Sequence, residues 1–363
     1  MWLPRPSRRP TAGGPAGRGD IRWRDAFEHD ETRKRGDQMT EPLRWGLIGT
    51  GLIAGVFAGD LELTHSGRVV AVGSRRMDSA ERFADRFDIP NRHASYQALV
   101  EDPDVDAVYV ATPHPMHRDD ALLALNAGKP VLVEKPFTMN AEEAKEVVAA
   151  ARGSNLFLME AMWTRFLPHI AEVRRLLAEG AVGEIISVSA DHGQWFPRDG
   201  ETRFFSPELG GGALLDLGVY TVSFASMVLG TPDRVVALSE PAFTGVDGQT
   251  AMLFSYAGGA QAVLHCTVCA KSPTRAAIVG TEGRIEIDGD DFYAPNSFTL
   301  IPRVGEPTRV EIPHEGHGLR HQADEVARCL RAGLLESPLL PLDETVSIME
   351  TLDAVRASAL RNE

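Results

Sequence analysis

Between Leu43 and Met159, short apolar runs alternate with stretches of helical period, and the connections between them are short. The pattern predicts a first strand from Leu43, then strands at Arg68–Ser74, Asp106–Ala111, Val131–Glu134 and Asn155–Met159. Helices are expected at Asp78–Phe87, His117–Ala127 and Ala141–Ala151. Strands joined through helices by such short links can pair only in parallel, with helices on both faces, so this half should be a doubly wound α/β sheet.

After Glu160 the pattern changes. A helix near Leu167–Glu179 and a strand at Gly183–Asp191 lead to Gly210-Gly211-Gly212 and a strongly apolar helix, Ala213–Leu229. From Arg234 to Ile312 come at least five strand-like runs separated by turn residues. They predict a large, mostly antiparallel sheet backed by the apolar helix. Two helices, Leu319–Ala332 and Asp343–Leu360, close the chain. The expected division is a disordered extension over 1–38, a dinucleotide-binding domain over 39–160 and an α+β substrate and oligomerisation domain over 161–363. The last helices are free to pack back on the first domain.

Residues 1–38 carry nine Lys/Arg against six Asp/Glu, are rich in Pro and Gly and lack apolar periodicity; Met39 directly precedes the first strand. The whole chain of 363 residues has a formal charge of −14, which disfavours nucleic acid and anionic lipid. The apolar runs read as core elements rather than membrane spans, giving a cytoplasmic expectation. Three cysteines form no disulfide framework; Cys266 and Cys269 lie in a strand-like run, and no metal site is expected.

The first strand runs into Gly49-Thr50-Gly51-Leu52-Ile53-Ala54, a G-x-G-x-x-A turn. Such glycines admit a tight turn and the close approach of a pyrophosphate to a helix N-terminus. Gly49, Thr50, Gly51, Leu52 and Ile53 are therefore the expected phosphate contacts. The second strand ends Ser74-Arg75-Arg76, where NAD enzymes place a carboxylate for the ribose. Two guanidinium groups there suit a 2′-phosphate, so NADP is expected, with NAD possible.

Two further strand ends carry chemistry. Thr112, Pro113, His114 and His117 follow the strand ending at Ala111; the prolines fix a wall for a nicotinamide, and His117 is the preferred candidate of the two histidines. Glu134-Lys135-Pro136 places a lysine at the carboxyl end of a central strand, where open α/β sheets bind ligands. Asp216 and Tyr220, four apart in the apolar helix, share one face. They read either as a capping aspartate and a core tyrosine, or as a pair facing a cleft. A nearby Lys135 would favour the second reading by lowering the phenol's pKa.

The glycine turn, Val105-Asp106-Ala107-Val108-Tyr109-Val110-Ala111-Thr112-Pro113, Glu134-Lys135-Pro136, Gly280-Thr281-Glu282-Gly283 and Glu336-Ser337-Pro338 together resemble the glucose-fructose oxidoreductase/inositol dehydrogenase (Gfo/Idh/MocA) family over Leu43–Leu360. Within it, Met159–Phe166 and the Asp216-to-Tyr220 helix look most like the dimeric dihydrodiol dehydrogenase and NADP-dependent D-xylose dehydrogenase branch. The resemblance implies a Rossmann domain and Lys135, Asp216 and Tyr220 as the catalytic set. It also implies Trp163 and Arg165 beside nicotinamide and substrate, and a homodimer or higher homo-oligomer. Lys135, Trp163, Asp216 and Tyr220 would then touch a carbohydrate or diol substrate, while Glu134 and Lys135 border the cofactor. Many relatives have histidine in place of Tyr220. The loop Gly193–Phe205, with Trp195, Arg198 and Arg203, is expected to shape the pocket. The function expected is hydride transfer between nicotinamide and a sugar or cyclic diol carbinol. Two alternatives are a non-catalytic NADP-sensing regulator and an NAD-dependent glycosidase.

Overall fold

The computed structural model describes residues 41–198, 202–287 and 291–360. The expectations for residues 1–38 and Met39 lie outside the described residues.

Six strands form the first sheet: β1 (Leu43–Ile48), β2 (Gly67–Gly73), β3 (Asn91–His93), β4 (Ala107–Val110), β5 (Val131–Glu134) and β6 (Leu158–Ala161), in the order β3-β2-β1-β4-β5-β6. Every pairing is parallel. The intervening helices are α1 (Leu52–Leu61), α2 (Met77–Phe87), α3 (Tyr96–Val100), α4 (His117–Asn126) and α5 (Ala141–Ser154). Strands β4, β5 and β6 are buried at every position, as continuous apolar runs covered on both faces must be. The chain winds outward from β1 to β3, then returns to β4 on the other side. The carboxyl ends of β1 and β4 thus border the crevice where such sheets bind ligands.

Two details differ from the sequence pattern. The polar edge strand β3 and short α3 had no apolar periodicity to announce them. The last strand begins at Leu158 rather than Asn155, because α5 continues to Ser154 and Asn155 closes it in the left-handed conformation with φ 52°.

After α6 (Pro168–Ala178) come β7 (Ile185–Gly193), α7 (Val219–Leu229) and seven more strands: β8 (Arg234–Pro241), β9 (Asp247–Ser255), β10 (Gln261–Thr267), β11 (Ala276–Gly280), β12 (Gly283–Ile287), β13 (Ser297–Pro302) and β14 (Thr308–Glu311). The eight-stranded sheet has the order β14-β13-β12-β11-β7-β10-β9-β8 and is antiparallel except for the β7/β10 pair. Burial alternates along β9, so only one face is covered, and α7 packs on that face against β7 and β10. The stretch Pro207–Leu229 is by length and composition apolar enough to cross a membrane, although no apolar run was expected to reach that length; 89% of its most apolar window is buried inside the protein, as in a core element.

Helices α8 (Arg320–Arg331) and α9 (Leu342–Leu360) tie the halves together. Buried Asp60, in α1, accepts from the His317 and Leu319 amides, while Asp353 of α9 accepts from the Ala141 amide at 2.8 Å. Carboxylates that bond main-chain N–H groups in this way fasten the start of α8 to α1 and α9 to α5.

Candidate active site

Gly49 has φ +107°, and a Cβ there would lie 2.8 Å from the Ala111 carbonyl oxygen. Only glycine lets β1 pass so near the end of β4. Gly51 is the extended N-cap of α1 with no side-chain cap, and a Cβ there would meet nothing within 4 Å. The uncapped amides of α1 therefore face open space, which fits a pyrophosphate. Thr50 and Ile53 are half-buried at this turn, and Leu52 is 88% exposed over it.

At the end of β2, Ser74 is buried and its hydroxyl accepts from the Arg76 amide. Arg75 and Arg76 are exposed, and Arg76 donates to Asp78 at 3.0 Å. A 2′-phosphate would compete with that carboxylate for Arg76.

The two histidines beyond β4 exchange the roles expected of them. His117 is fully buried, with its ring nitrogens 2.8 Å from the Pro136 and Thr112 carbonyl oxygens. It clamps the end of β4 to the end of β5 instead of facing the cleft, and burial lowers its pKa. His114 is the one beside the charged cluster. Its Nδ1 is 3.2 Å from the Gly210 carbonyl and its Nε2 3.6 Å from Asp216 Oδ1. Burial pushes its pKa down to about 3, so the ring is neutral, with Nδ1–H donating to Gly210. Thr112 donates its hydroxyl to Asp120, and Pro113 caps the short 3₁₀ turn that carries His114.

Asp216 lies in a single π turn, Leu214–Gly218, that leads into α7. Such turns recur at functional sites because they break the α-helical bond register. The Gly210-Gly211-Gly212 run makes room for it. A Cβ on Gly211 would lie 2.6 Å from the Arg203 carbonyl oxygen, and one on Gly212, at φ +122°, 2.2 Å from Asp247 Oδ1. Asp247 in turn accepts from the Leu214 amide at 2.6 Å, capping the start of the turn.

The fold brings Lys135, Asp216 and Tyr220 together. Lys135 Nζ donates to the Asp216 main-chain oxygen at 3.0 Å, stands 3.6 Å from its Oδ1, and lies 5.1 Å from the centre of the Tyr220 ring. Burial lowers the lysine's pKa, partly offset by Asp216. Asp216 is fully buried; burial alone would raise its pKa, but the cations Lys135 and Arg203 outweigh it and keep the carboxylate ionised. The Tyr220 hydroxyl accepts from Trp163 Nε1 at 2.9 Å.

One electrostatic expectation fails. The Tyr220 pKa is raised well above its ordinary value, first by burial and then by the Glu134 charge. The Lys135 ammonium bonds Asp216 and stands over the phenol's ring, so its help to a phenolate is outweighed. Glu134 itself is buried, accepting the Tyr109 hydroxyl at 2.5 Å and the Lys135 amide at 3.1 Å. Arg165 is also reassigned. It is 2% exposed and donates to Glu344, Ser223 and Leu339, so it ties the Trp163–Phe166 turn to α7 and α9 rather than contacting a cofactor.

Three side chains at the cleft were not singled out for the roles they hold. Arg203 forks onto Asp216, and His192 and Tyr293 wall Tyr220 with ring centroids 5.2 and 5.4 Å away. The period-two pattern of β7, with Val188, Ala190 and His192 on its buried face, was the available signal for His192. Tyr293 lies in a loop and gave none.

A nucleotide crevice at the sheet's switch point, with lysine, aspartate and tyrosine converging beside it, defines an oxidoreductase of the NAD(P)-dependent class. Residues 43–162 match an oxidoreductase family with an NAD-binding Rossmann fold, and residues 170–286 match the GFO/IDH/MocA C-terminal domain. Trans-1,2-dihydrobenzene-1,2-diol dehydrogenase from Danio rerio is 40% identical over 324 residues, which cover 86% of this chain and 96% of that one. The Xenopus tropicalis enzyme of the same name is 38% identical, covering 85% and 96%. Among solved structures, a 3-ketoreductase from Actinomadura kijaniata with NADP and TDP-benzene is 30% identical, with a TM-score of 0.76, covering 88% of this chain and 98% of that one. An aldose-aldose oxidoreductase from Caulobacter crescentus shares the fold at a TM-score of 0.81 and 24% identity, covering 89% and 99%. The chain belongs to the GFO/IDH/MocA oxidoreductase family, and it acts on CH–OH groups with a nicotinamide cofactor.

Proposed function

We propose that this protein is an NADP-preferring dehydrogenase that oxidises a sugar or trans-dihydrodiol carbinol, and reduces the corresponding carbonyl. The observation that carries this reading is the convergence of Lys135, Asp216 and Tyr220 at the carboxyl edge of the parallel sheet. Relatives named for a trans-dihydrodiol support the substrate class. A bound nicotinamide supplies the hydride acceptor or donor. The crevice residues Gly49, Thr50, Gly51, Leu52 and Ile53 would hold its pyrophosphate. The Ser74-Arg75-Arg76 end, without a carboxylate and with exposed guanidinium groups, favours NADP.

Tyr220 exchanges the proton with the substrate oxygen. Its raised pKa stores it as the neutral phenol, ready to donate in reduction; in oxidation the phenol must first release that proton to solvent, and the phenolate then accepts the hydroxyl proton as hydride leaves the carbon. Lys135 stabilises the developing alkoxide electrostatically, and Asp216 fixes the lysine's position. Trp163 orients the phenol through its indole N–H.

The open face of the second sheet suits a second copy of the chain. Val236, Leu253 and Val263 stand in register across three strands of it, and Leu238, 63% exposed, lies beside them. The three free thiols suit a reducing, cytosolic setting.

The test is NADP+ reduction against a panel of aldoses and trans-dihydrodiols, run beside NAD+. The reading expects turnover with a higher kcat/KM for NADP+. NADPH binding with no turnover on the panel would support the regulator instead. Release of a sugar leaving group without net NADPH formation would support the glycosidase.

A further inference from the structure

Two cations compete for one buried carboxylate in the cleft, and the outcome is uneven. Arg203 places Nη2 2.8 Å from Asp216 Oδ1 and Nη1 3.1 Å from Oδ2, a two-pronged bond that uses both carboxylate oxygens. Lys135 stays 3.6 Å from Oδ1 and donates instead to the main-chain oxygen of the same residue. The planar fork matches a carboxylate better than a compact ammonium can.

The arginine is held in place independently of the aspartate. It opens the 3₁₀ turn Arg203–Phe205, and its guanidinium lies 4.4 Å from the centre of the Phe204 ring, which stacks on Phe196 at 3.6 Å. The Gly212 amide bonds the Phe204 carbonyl at 2.9 Å, fastening this turn to the π turn that bears Asp216. Nη1 also stands 3.2 Å from His114 Nε2, so the nitrogen of a neutral imidazole accepts from it.

We propose that Arg203 is a positioning residue that occupies the Asp216 carboxylate, and thereby keeps the Lys135 ammonium available to the substrate oxygen instead of locked in a buried ion pair. The proposal rests on the reading of Lys135 and Tyr220 as the groups that meet substrate. Without the guanidinium, the only remaining cation beside Asp216 among the described contacts is Lys135. It would close on the carboxylate, gain the full attraction of a poorly screened pair, and hold its proton more tightly. The positive charge of Arg203 also lowers the lysine's pKa directly.

The experiment compares the wild type with Arg203→Gln and Arg203→Lys, after circular dichroism and urea unfolding have shown both to be folded. Two readouts are taken. The first is independent of turnover: competitive acetylation of Lys135 across pH, read by mass spectrometry, gives its pKa in each protein. The expected result is a rise of about one unit in Arg203→Gln and a smaller one in Arg203→Lys. The second is kinetic. For Arg203→Gln, kcat should fall about tenfold or more with KM within about threefold, and the alkaline limb of the kcat/KM profile should move to higher pH. Added guanidinium ion should restore part of kcat. NADPH affinity should stay within about twofold, since the crevice at Gly49–Ile53 is unaltered. An unchanged Lys135 pKa in both variants overturns the proposal. So does an unchanged kcat in a protein that turns over the panel. A raised Lys135 pKa in a protein with no measurable turnover sustains the role of Arg203 while rejecting the dehydrogenase reading.

Discussion

Tyr220→Phe separates chemistry from packing in a single atom. The ring keeps its contacts with His192, Tyr293 and the Lys135 ammonium, so the wall of the cleft is preserved. What is lost is the oxygen that accepts from Trp163 Nε1. Trp163 is 8% exposed, so its N–H is left without an acceptor in a largely dry place, a cost of about 1–3 kcal/mol. Loss of the proton-exchanging group should lower kcat by about 10²-fold or more, equivalent to about 2.7 kcal/mol on the barrier. NADPH affinity should be unchanged within about twofold, because no crevice residue is touched. Steady-state NADP+ reduction, quenching of NADPH fluorescence and urea unfolding measure the three quantities. Turnover within about twofold of wild type, together with the expected loss of stability, would reduce Tyr220 to a packing residue and refute the mechanism.

Arg165→Met should lower stability by about 3–5 kcal/mol by leaving Glu344 without its buried partner, with NADPH affinity unchanged; a selective loss of NADPH binding would return the residue to the cofactor site. Arg75→Ala combined with Arg76→Ala should weaken NADP+ by at least about tenfold and leave NAD+ nearly unaffected, as read from KM for each. Gly211→Ala should disrupt the turn packed against it and lower both stability and turnover, because the new Cβ meets the Arg203 and Phe204 carbonyls; an unperturbed variant would refute the close packing. His169, fully buried and ring-stacked with His314, has its pKa pushed by burial to about 3. The unfolded chain therefore binds its proton first, and the stabilising contribution, complete above about pH 6.5, is lost as the pH falls toward 3, by about 1.4 kcal/mol per unit. Buried Glu160, with a pKa near 7 from burial, slopes the opposite way. The measurable quantity is therefore the difference in unfolding free energy between wild type and His169→Phe from pH 7.5 to pH 5. No change in that difference would contradict the assignment.

The parallel sheet was legible because its central strands are buried on both faces and so must be continuously apolar. The glycine turn was legible because Gly49, with a positive φ and the Ala111 carbonyl close by, meets a backbone demand that no other residue satisfies. Lys135 at the end of β5 and Asp216 near Tyr220 were visible as candidates. Their separation of 81 residues between lysine and aspartate hid which atoms would meet.

Residue spacing gave no access to competition among partners. Two histidines in one loop were ranked the wrong way round, because His117 is flanked by carbonyls from two strand ends while His114 meets Gly210, Arg203 and Asp216 from the second half of the chain. Arg165 sat in a motif suited to a cofactor, yet its partners come from α7, α9 and the loop before α9. The expected drop in the Tyr220 pKa failed for the same reason, since Glu134 and desolvation act from outside its helix.

The sequence by itself determined the two-sheet architecture and the nucleotide crevice, because periodicity and glycine geometry are local properties, while the three converging side chains were named by its resemblance to a known family. Only the tertiary structure decided which charge each of those side chains faces. That depends on distance and burial between groups far apart in the chain, and at a few ångströms in a dry cleft those two quantities set protonation, partner and role.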